Sequence, residues 1–129
     1  MNWDRIHFVG RISYARYLSA LQVSTVHVCL SYPFMLSWSL MEALAASCLV
    51  ITSRTPAIEE VIEDGYNGLL ADFFDHLHLA FQIDAACKNP SSFSAIRDRA
   101  RRRIADDYEL HNVFLPQLKK LLLRSRTDG

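Results

Sequence analysis

One carboxylate lies inside an otherwise apolar helical stretch and is the first candidate for chemistry. The stretch runs from Ser39 to Ala46, and the carboxylate belongs to Glu42. A charge among apolar side chains costs free energy unless a donor or a ligand compensates it. Two interpretations stay open from these residues. Ser39 and Glu42 have the S-x-x-E spacing of a capping box, in which Glu42 bonds back to the Ser39 amide; alternatively, the carboxylate binds a ligand.

The other titratable residues form no recognisable catalytic or metal centre. The five histidines lack HExxH and paired ligand spacing, so no metal is expected, and His27 is predicted to be a hydrogen-bonded core residue inside a strand. The serines form no G-x-S-x-G elbow. Glu59 and Glu60 are adjacent and point apart on a helix, so they form no acid/base pair. Catalytic residues therefore stay unknown.

A basic cluster occupies one later helical stretch. Because Arg99, Arg102 and Arg103 share a helix face, a solvated stripe is the first interpretation, and a contact with anionic lipid or phosphate is the alternative. The cluster consists of Arg97, Arg99, Arg101, Arg102 and Arg103.

Composition indicates one globular domain over residues 1–129. Half of the residues are hydrophobic and the net charge is zero, which argues against a general nucleic-acid binder. No apolar run approaches the roughly 20 residues needed to span a bilayer, and the N-terminus lacks a signal-peptide pattern. Three widely spaced cysteines without CxxC are expected to be reduced, buried thiols. A cytoplasmic protein is expected, with a peripheral position at the inner membrane face as a variant.

Short apolar runs alternate with helical patterns along the chain. This alternation predicts an α/β fold, a Rossmann-like parallel sheet flanked by helices with a helical C-terminal tail. Strands are predicted at Ile6–Val9, Val26–Leu30, Leu49–Thr52 and Leu69–Ala71. Helices are predicted at Tyr14–Gln22, Ser39–Ala46, Ile58–Glu63, His76–Lys88, Ser91–Asp107 and Asn112–Arg124. Pro116 is tolerated only near a helix start, so the last helix is expected to begin a few residues late.

Ligands of such sheets bind beyond the carboxyl ends of the strands, in the loops that follow them. These are the loops at 10–13, 31–39, 53–57 and 71–75. Because the chain begins almost directly in a strand, without a Gly-rich phosphate loop, one or two strands are expected to be missing from the front. The sequence thus predicts a partial domain.

The segment from Tyr32 to Leu70 resembles the donor-binding core of GT-B glycosyltransferases of family 4, also called group 1. The resemblance rests on three parts in the right order: Glu42-Ala-Leu-Ala45, the strand Leu49-Val-Ile-Thr52, and the run E-V-I-E-D-G-Y-N-G-L-L that ends at Leu70. It implies the C-terminal, nucleotide-sugar-binding domain of such an enzyme. It also implies transfer of a sugar from a nucleoside-diphosphate donor with retention at the anomeric carbon.

The resemblance carries site roles onto particular residues. The family has two glutamates eight positions apart, of which the second holds the donor ribose and corresponds to Glu42. The first contacts the sugar, and Phe34 stands in its place, so that contact is lost or supplied differently. Loop amides near Leu36, Ser37, Trp38 and Ser39 would face sugar and phosphate, since a helix N-terminus offers N–H groups to an anion. Gly10, Arg11 and Ile12 would lie beside the base.

Several points stay open beside the resemblance. Trp38 fits core packing better than a sugar platform, and the role of Glu60, a frequent family glutamate, is undecided. Ser47 replaces a usual glycine and, if its backbone is left-handed, costs about 1 kcal/mol. The family's upstream basic pair and N-terminal acceptor domain have no counterpart here.

Three functions compete. The first is donor binding for glycosyl transfer, with a nucleotide-sugar donor, a saccharide or lipid-linked acceptor, no cofactor, and a missing N-terminal domain or a second copy as partner. The second is a truncated or degenerate nucleotide binder without turnover. The third is an unrelated α/β interaction module. The residues do not identify the base, the sugar or the acceptor.

Overall fold

The computed structural model describes residues 3–32 and 36–127, with side chains described as far as residue 121. Three parallel strands form the sheet: β1 (Val26–Cys29), β2 (Leu49–Ser53) and β3 (Leu69–Ala71), in the order β1-β2-β3. The central strand β2 is apolar except at its end and is buried at all five positions. A strand covered on both faces reads as a continuous apolar run, as the sequence predicted.

Six α-helices surround this sheet in the described chain. Short 3₁₀ turns at Trp3–Arg5 and Pro90–Phe93 and a π turn at Leu110–Phe114 complete the backbone. The helices are α1 (Tyr14–Val23), α2 (Trp38–Ala45), α3 (Pro56–Glu59), α4 (His76–Lys88), α5 (Ser94–Asp107) and α6 (Leu115–Thr127). The fold is therefore the predicted α/β sheet with a helical tail. Helix α6 begins at Leu115, just before Pro116, so the expected late start is confirmed.

The predicted strand at Ile6–Val9 is wrong. The segment lies outside the sheet and carries no regular structure, with Phe8 87% and Val9 70% exposed. A strand needs hydrogen bonds from a neighbouring strand, and here the segment pairs with none, so β1 has one open edge. An apolar run is a necessary condition for a buried strand and not a sufficient one.

Helices α3 and α5 also differ from their predicted bounds. Helix α3 begins at Pro56, two residues before the predicted start, because proline has a helical φ and needs no hydrogen-bonded N–H at that position. It ends at Glu59 rather than Glu63, since the following residues form a turn. The predicted helix Ser91–Asp107 is divided into a 3₁₀ turn and α5.

Helix α2 packs against β1, β2 and α5, and its inward face forms the centre of the core. Leu40, Ala43 and Leu44 are each at most 1% exposed. They follow the i, i+3, i+4 spacing of one helix face. The position of this helix is therefore fixed by burial, which holds any side chain on its outer face in a defined place.

The end of α2 is a Schellman motif with serine in the left-handed position. Ser47 has φ +59°. Its N–H donates to the Leu44 carbonyl at 3.1 Å, and the Cys48 N–H donates to the Ala43 carbonyl at 3.0 Å. This pair of bonds satisfies the last helix carbonyls and is usually built on glycine. The suspected left-handed backbone at Ser47 is confirmed.

Three members of the arginine cluster hold α5 to the rest of the domain by bonding backbone carbonyls. Of the predicted solvated stripe, Arg102 and Arg103 are exposed and Arg99 is half-buried, so the stripe is solvated in part. Arg97 donates to the Thr25 carbonyl at 2.7 Å, across 72 residues of chain. Arg99 donates to the Tyr66 carbonyl at 2.7 Å, and its guanidinium lies 4.5 Å from the centre of the Tyr66 ring. Arg103 donates to the Glu60 carbonyl at 3.2 Å.

The three cysteines are free, and two of them are at least partly buried. Burial raises the pKa of the Cys48 thiol, and the nearby Arg97 charge partly opposes that rise. Cys87 is exposed, so the prediction of three buried thiols is wrong at that position. Among the helices of residues 3–32 and 36–127, none has the length and apolar content to cross a membrane.

Candidate functional site

The carboxyl ends of β1 and β2 are locked together by serine and threonine side chains. The Ser53 hydroxyl donates to the Ser31 carbonyl at 2.5 Å and accepts from the Ser31 N–H at 2.9 Å. The Thr52 hydroxyl donates to the Cys29 carbonyl at 2.6 Å. These bonds explain why polar residues are fully buried here, and they make this edge of the sheet a firm base for the loops beyond it.

The Asp64–Gly68 turn uses its polar groups internally. Buried Asn67 accepts from the Glu63 N–H at 2.7 Å and donates to the Val61 carbonyl at 2.9 Å. Gly65 has φ +72°. At Gly68 a Cβ atom would lie 2.9 Å from the Ile62 side chain. The run E-D-G-Y-N-G, which carried much of the resemblance, is therefore a structural turn.

The same turn is joined by an ion pair to Arg54, the residue that follows β2. The Arg54 guanidinium contacts Glu59 at 3.0 Å and Asp64 at 2.8 Å. The other oxygen of Asp64 accepts from the Leu70 N–H at 2.9 Å. Because two carboxylates pair with the Arg54 guanidinium, its positive charge is already compensated within the protein. Glu60 is exposed and lies next to Glu59 in the chain, and its role stays undecided.

Within residues 3–32 and 36–127 no side chain caps the N-terminus of α2, and the capping box is wrong. Ser37 is the N-cap residue, and its side chain makes no capping bond. Ser39 lies inside the helix, where its hydroxyl contacts His27 Nε2 at 3.1 Å and accepts from the Tyr17 hydroxyl at 3.2 Å. Glu42 is thus not bonded back to Ser39. The first N–H groups of an α-helix have no intrahelical partner and can serve an anion.

His27 is the hydrogen-bonded, partly buried residue that its place in a strand predicted. Burial lowers its pKa below the ordinary 6.5. A neutral imidazole with its proton on Nδ1 accepts a hydrogen bond from the Ser39 hydroxyl through Nε2. His27 therefore joins β1 to α2 through the Ser39 hydroxyl.

Glu42 lies one turn into α2 and is partly buried. Side-chain hydrogen bonding with Glu42, with burial and the Glu42 charge adding to it, raises the pKa of the Tyr14 phenol. An ionised carboxylate has about four lone-pair sites and can therefore accept from several donors, such as ligand hydroxyls.

The segment Gly10–Ile12 leads into the helix that contacts Glu42. Gly10 has φ +62°, which turns the chain, and the Ser13 hydroxyl accepts from the Arg16 N–H to cap α1. Tyr14, the first residue of α1, follows two positions after Ile12. The predicted base-proximal segment thus ends two residues before Tyr14, the first residue of α1, whose pKa Glu42 raises.

Trp38 is not a core residue, as its type had suggested; it is 84% exposed. Being at the first position of α2, it points away from the face that packs on the sheet. It borders an apolar groove of about 440 Å³ that Leu36 and Phe114 also line. Phe34, predicted to replace the sugar-contacting glutamate, lies outside the described residues.

The sequence matches the family described as "Glycosyl transferases group 1" over residues 1–103. The chain belongs to this family. A search of curated proteins gave no match. The resemblance read from the residues between Tyr32 and Leu70 is thereby confirmed at the level of the family.

Two solved structures share the fold. The C-terminal domain of a glycosyl transferase group 1 family protein (LpcC) from Francisella tularensis is 23% identical with TM-score 0.72, covering 81% of this chain and 54% of that one. A sucrose-phosphate synthase from Thermosynechococcus elongatus is 26% identical with TM-score 0.84, covering 98% of this chain and 31% of that one. This glycosyltransferase-family chain thus has the fold of a GT-B C-terminal domain. It spans about half of the first of these two chains and about a third of the second.

Tyr14 was missed in the sequence, although Glu42 is the main cause of the raised pKa of its phenol. Its only signal was its place directly after the Gly10–Ser13 loop, at the start of a helix. Contact between α1 and α2 joins residues 28 positions apart in the chain, from 14 to 42. Such a pairing depends on how the two helices pack, which no local pattern encodes.

Proposed function

We propose that this domain binds the nucleoside-diphosphate part of a sugar donor for retaining glycosyl transfer. Glu42 is the ligand of the ribose hydroxyls, and the α2 N-terminus, at Ser37 to Ser39, holds the diphosphate. Gly10, Arg11 and Ile12 lie beside the base. The observation that carries the proposal is a partly buried carboxylate one turn from a helix N-terminus that no side chain caps within the described residues.

This arrangement suits a nucleotide for two separate reasons. The α2 N-terminus combines N–H groups that no side chain of the described residues caps with the positive end of the helix dipole, which stabilises a phosphate. Glu42, carrying a negative charge, suits neutral hydroxyl donors rather than phosphate. The two features lie within about one helical turn, or roughly 5.4 Å, which is compatible with a ribose and its attached phosphates.

Catalysis in this proposal comes from positioning and from stabilising the diphosphate that leaves, rather than from an acid/base pair. The acceptor is a saccharide or a lipid-linked saccharide. Membership of the glycosyltransferase family supports the sugar chemistry. The base, the sugar and the acceptor are left to experiment.

The test is calorimetric titration of the chain with UDP and with GDP, followed by Glu42→Gln. We expect one of the two nucleotides to bind and the substitution to weaken binding by about 10-fold or more, because hydrogen bonds to a charged group contribute about 1.5–3 kcal/mol. Glu63→Gln is the matched control, since Glu63 is exposed and its side chain makes no hydrogen bond or ion pair within the described chain. Absence of binding to both nucleotides by the wild-type chain would refute the proposal.

A second candidate is nucleotide binding without turnover. It is favoured by Phe34, because a phenyl ring in place of a glutamate accepts no conventional hydrogen bond from the sugar. Release or transfer of sugar from a radiolabelled nucleotide-sugar separates the two candidates. Binding with very slow or no turnover supports the second, and release or transfer well above that rate supports the first.

A further inference from the structure

Exposed apolar side chains run from the groove beside α2 along the start of the last helix. Phe114, Leu118 and Leu121 have i, i+4, i+7 spacing, which places them on one side of the chain as it winds into α6. Phe114 is 53% exposed, Leu118 40% and Leu121 70%. Phe114 also lines the groove that exposed Trp38 borders. We call these four residues the apolar stripe.

The rest of the described domain leaves the apolar stripe uncovered. Among the described residues, α6 packs mainly on the π turn at Leu110–Phe114 that precedes it. None of its described side chains belongs to the buried core. Apolar side chains gain free energy when they leave water, so an exposed helix face of this kind marks a binding surface.

Basic residues accompany the apolar stripe. Lys119 and Lys120 are exposed and form no ion pair within the described chain. Residues 115–127 contain two lysines, two arginines and no acidic residue, although the whole chain has a net charge of zero. The last acidic residue before them, Glu109, uses its carboxylate to cap the π turn. Positive charge is therefore concentrated on the helix that carries the exposed leucines.

We propose that the apolar stripe, with Lys119 and Lys120 beside it, docks the domain on an anionic lipid surface. A helix with leucines on one face and lysines beside them lies in the plane of a membrane interface, where its apolar side chains reach the acyl boundary. The lysines attract acidic head groups, and tryptophan is enriched at the same depth. A second copy of the chain fits less well, because self-pairing of this face would bring two basic helices together.

Docking by this face would bring the N-terminus of α2 to the lipid surface, because Trp38 is the first residue of that helix. A lipid-linked acceptor would be held at the same surface. Lipid binding does not depend on nucleotide binding, since it is measured without a nucleotide. Failure of one proposal therefore leaves the other standing.

The test is sedimentation of the whole chain with two kinds of vesicle, one of phosphatidylcholine and one of equal parts phosphatidylcholine and phosphatidylglycerol. We expect binding to the anionic vesicles to be at least about tenfold stronger and to weaken as salt is raised. Leu121→Gln should weaken it about tenfold or more through lost apolar burial. The double substitution Lys119→Gln and Lys120→Gln should do the same through lost charge.

Leu77→Gln and Arg101→Gln are the matched controls, since they remove an exposed leucine and an exposed arginine that lie outside the apolar stripe. Both should bind the anionic vesicles within about twofold of wild type. All of these positions are exposed, so the urea midpoints of the variants should stay close to that of wild type. Equal binding to both vesicles, binding to neither, or equal weakening by the controls would refute the proposal.

Trp38 reports which face of the domain docks. In a Trp3→Phe variant it is the sole tryptophan, and its emission should shift to the blue with anionic vesicles and be quenched by lipids brominated on their acyl chains. Sedimentation with vesicles at an unchanged Trp38 emission would mean that another face binds. A dimer that analytical ultracentrifugation finds in wild type and not in Leu121→Gln would make a second copy the occupant. Either result would overturn the proposal.

Discussion

Replacing Ser47 by glycine should stabilise the domain. Ser47 is the C′ residue of the Schellman motif that ends α2, and its φ of +59° lies in the region that favours glycine. Within the described chain its hydroxyl makes no hydrogen bond, so the substitution removes no side-chain bond. The two capping bonds from the Ser47 and Cys48 amides use backbone atoms and should persist.

The magnitude follows from two opposing effects. A non-glycine residue in the left-handed region costs about 1–2 kcal/mol. Glycine also gives the unfolded chain more conformational freedom, which returns about 0.4–1 kcal/mol of that gain. The net expectation for Ser47→Gly is an increase of about 0.5–1 kcal/mol in the free energy of unfolding. With a urea m-value of about 1.5 kcal/mol/M, the midpoint should rise by about 0.3–0.7 M.

The assay is urea unfolding followed by circular dichroism, with two matched variants. Ser47→Ala keeps a side chain at the left-handed position and should not be more stable than wild type. Ser19→Gly places glycine inside exposed α1 and should lose about 0.5–1 kcal/mol. A Ser47→Gly midpoint at or below that of wild type, at an unchanged m-value, would refute the reasoning that this backbone is strained.

Two further perturbations test the contacts beneath the site. Because burial lowers the pKa of His27 below 6.5, the unfolded chain takes up this proton first, so stability is lost as the pH falls from about 6.5 toward the folded-state pKa. The urea midpoint should therefore drop more between about pH 7.5 and pH 5.5 in wild type than in His27→Gln, and equal drops would contradict this. Arg97→Met leaves the Thr25 carbonyl without its donor, so the free energy of urea unfolding should fall by about 1–3 kcal/mol. Arg101→Met, at an exposed position, should change this free energy by less than about 0.5 kcal/mol. Equal effects of the two substitutions would contradict the role of Arg97 in holding α5 to the domain.

The elements that carry the site were predictable where local pattern and burial agree. The strand predicted at Leu49–Thr52 is observed one residue longer, and the helix predicted at Ser39–Ala46 is observed one residue earlier. Both are apolar because both are buried, so the pattern reports the environment directly. The left-handed backbone at Ser47 was also predictable, since that position follows from where the helix must end.

What the sequence left open depends on contacts between distant residues. The apolar run Ile6–Val9 has the composition of a strand, but pairing is decided by whether an edge receives it. The arginines of α5 were placed correctly on a helix, yet the carbonyl partner of Arg97 is 72 residues away. Trp38 is apolar and still exposed, because it is the first residue of α2 and faces away from the sheet.

The run E-D-G-Y-N-G separates identification of the family from identification of the site. It is the part of the sequence that resembles the family most specifically, but Asp64 and Asn67 bond to neighbouring parts of the protein. Its requirements are conformational, at Gly65 and Gly68, and do not depend on a ligand. The turn is therefore evidence for the fold and not for the ligand.

Evidence about the ligand has to come from polar groups whose hydrogen-bonding capacity the fold does not use. At the α2 N-terminus, the Ser39 hydroxyl bonds Tyr17 and His27. The first helix amides have no side-chain partner among the described residues. These amides and the Glu42 carboxylate have opposite electrostatic character, one suited to phosphate and the other to hydroxyls. A ligand that satisfied both would carry an anion beside a diol, which is the chemistry of the proposed nucleoside diphosphate.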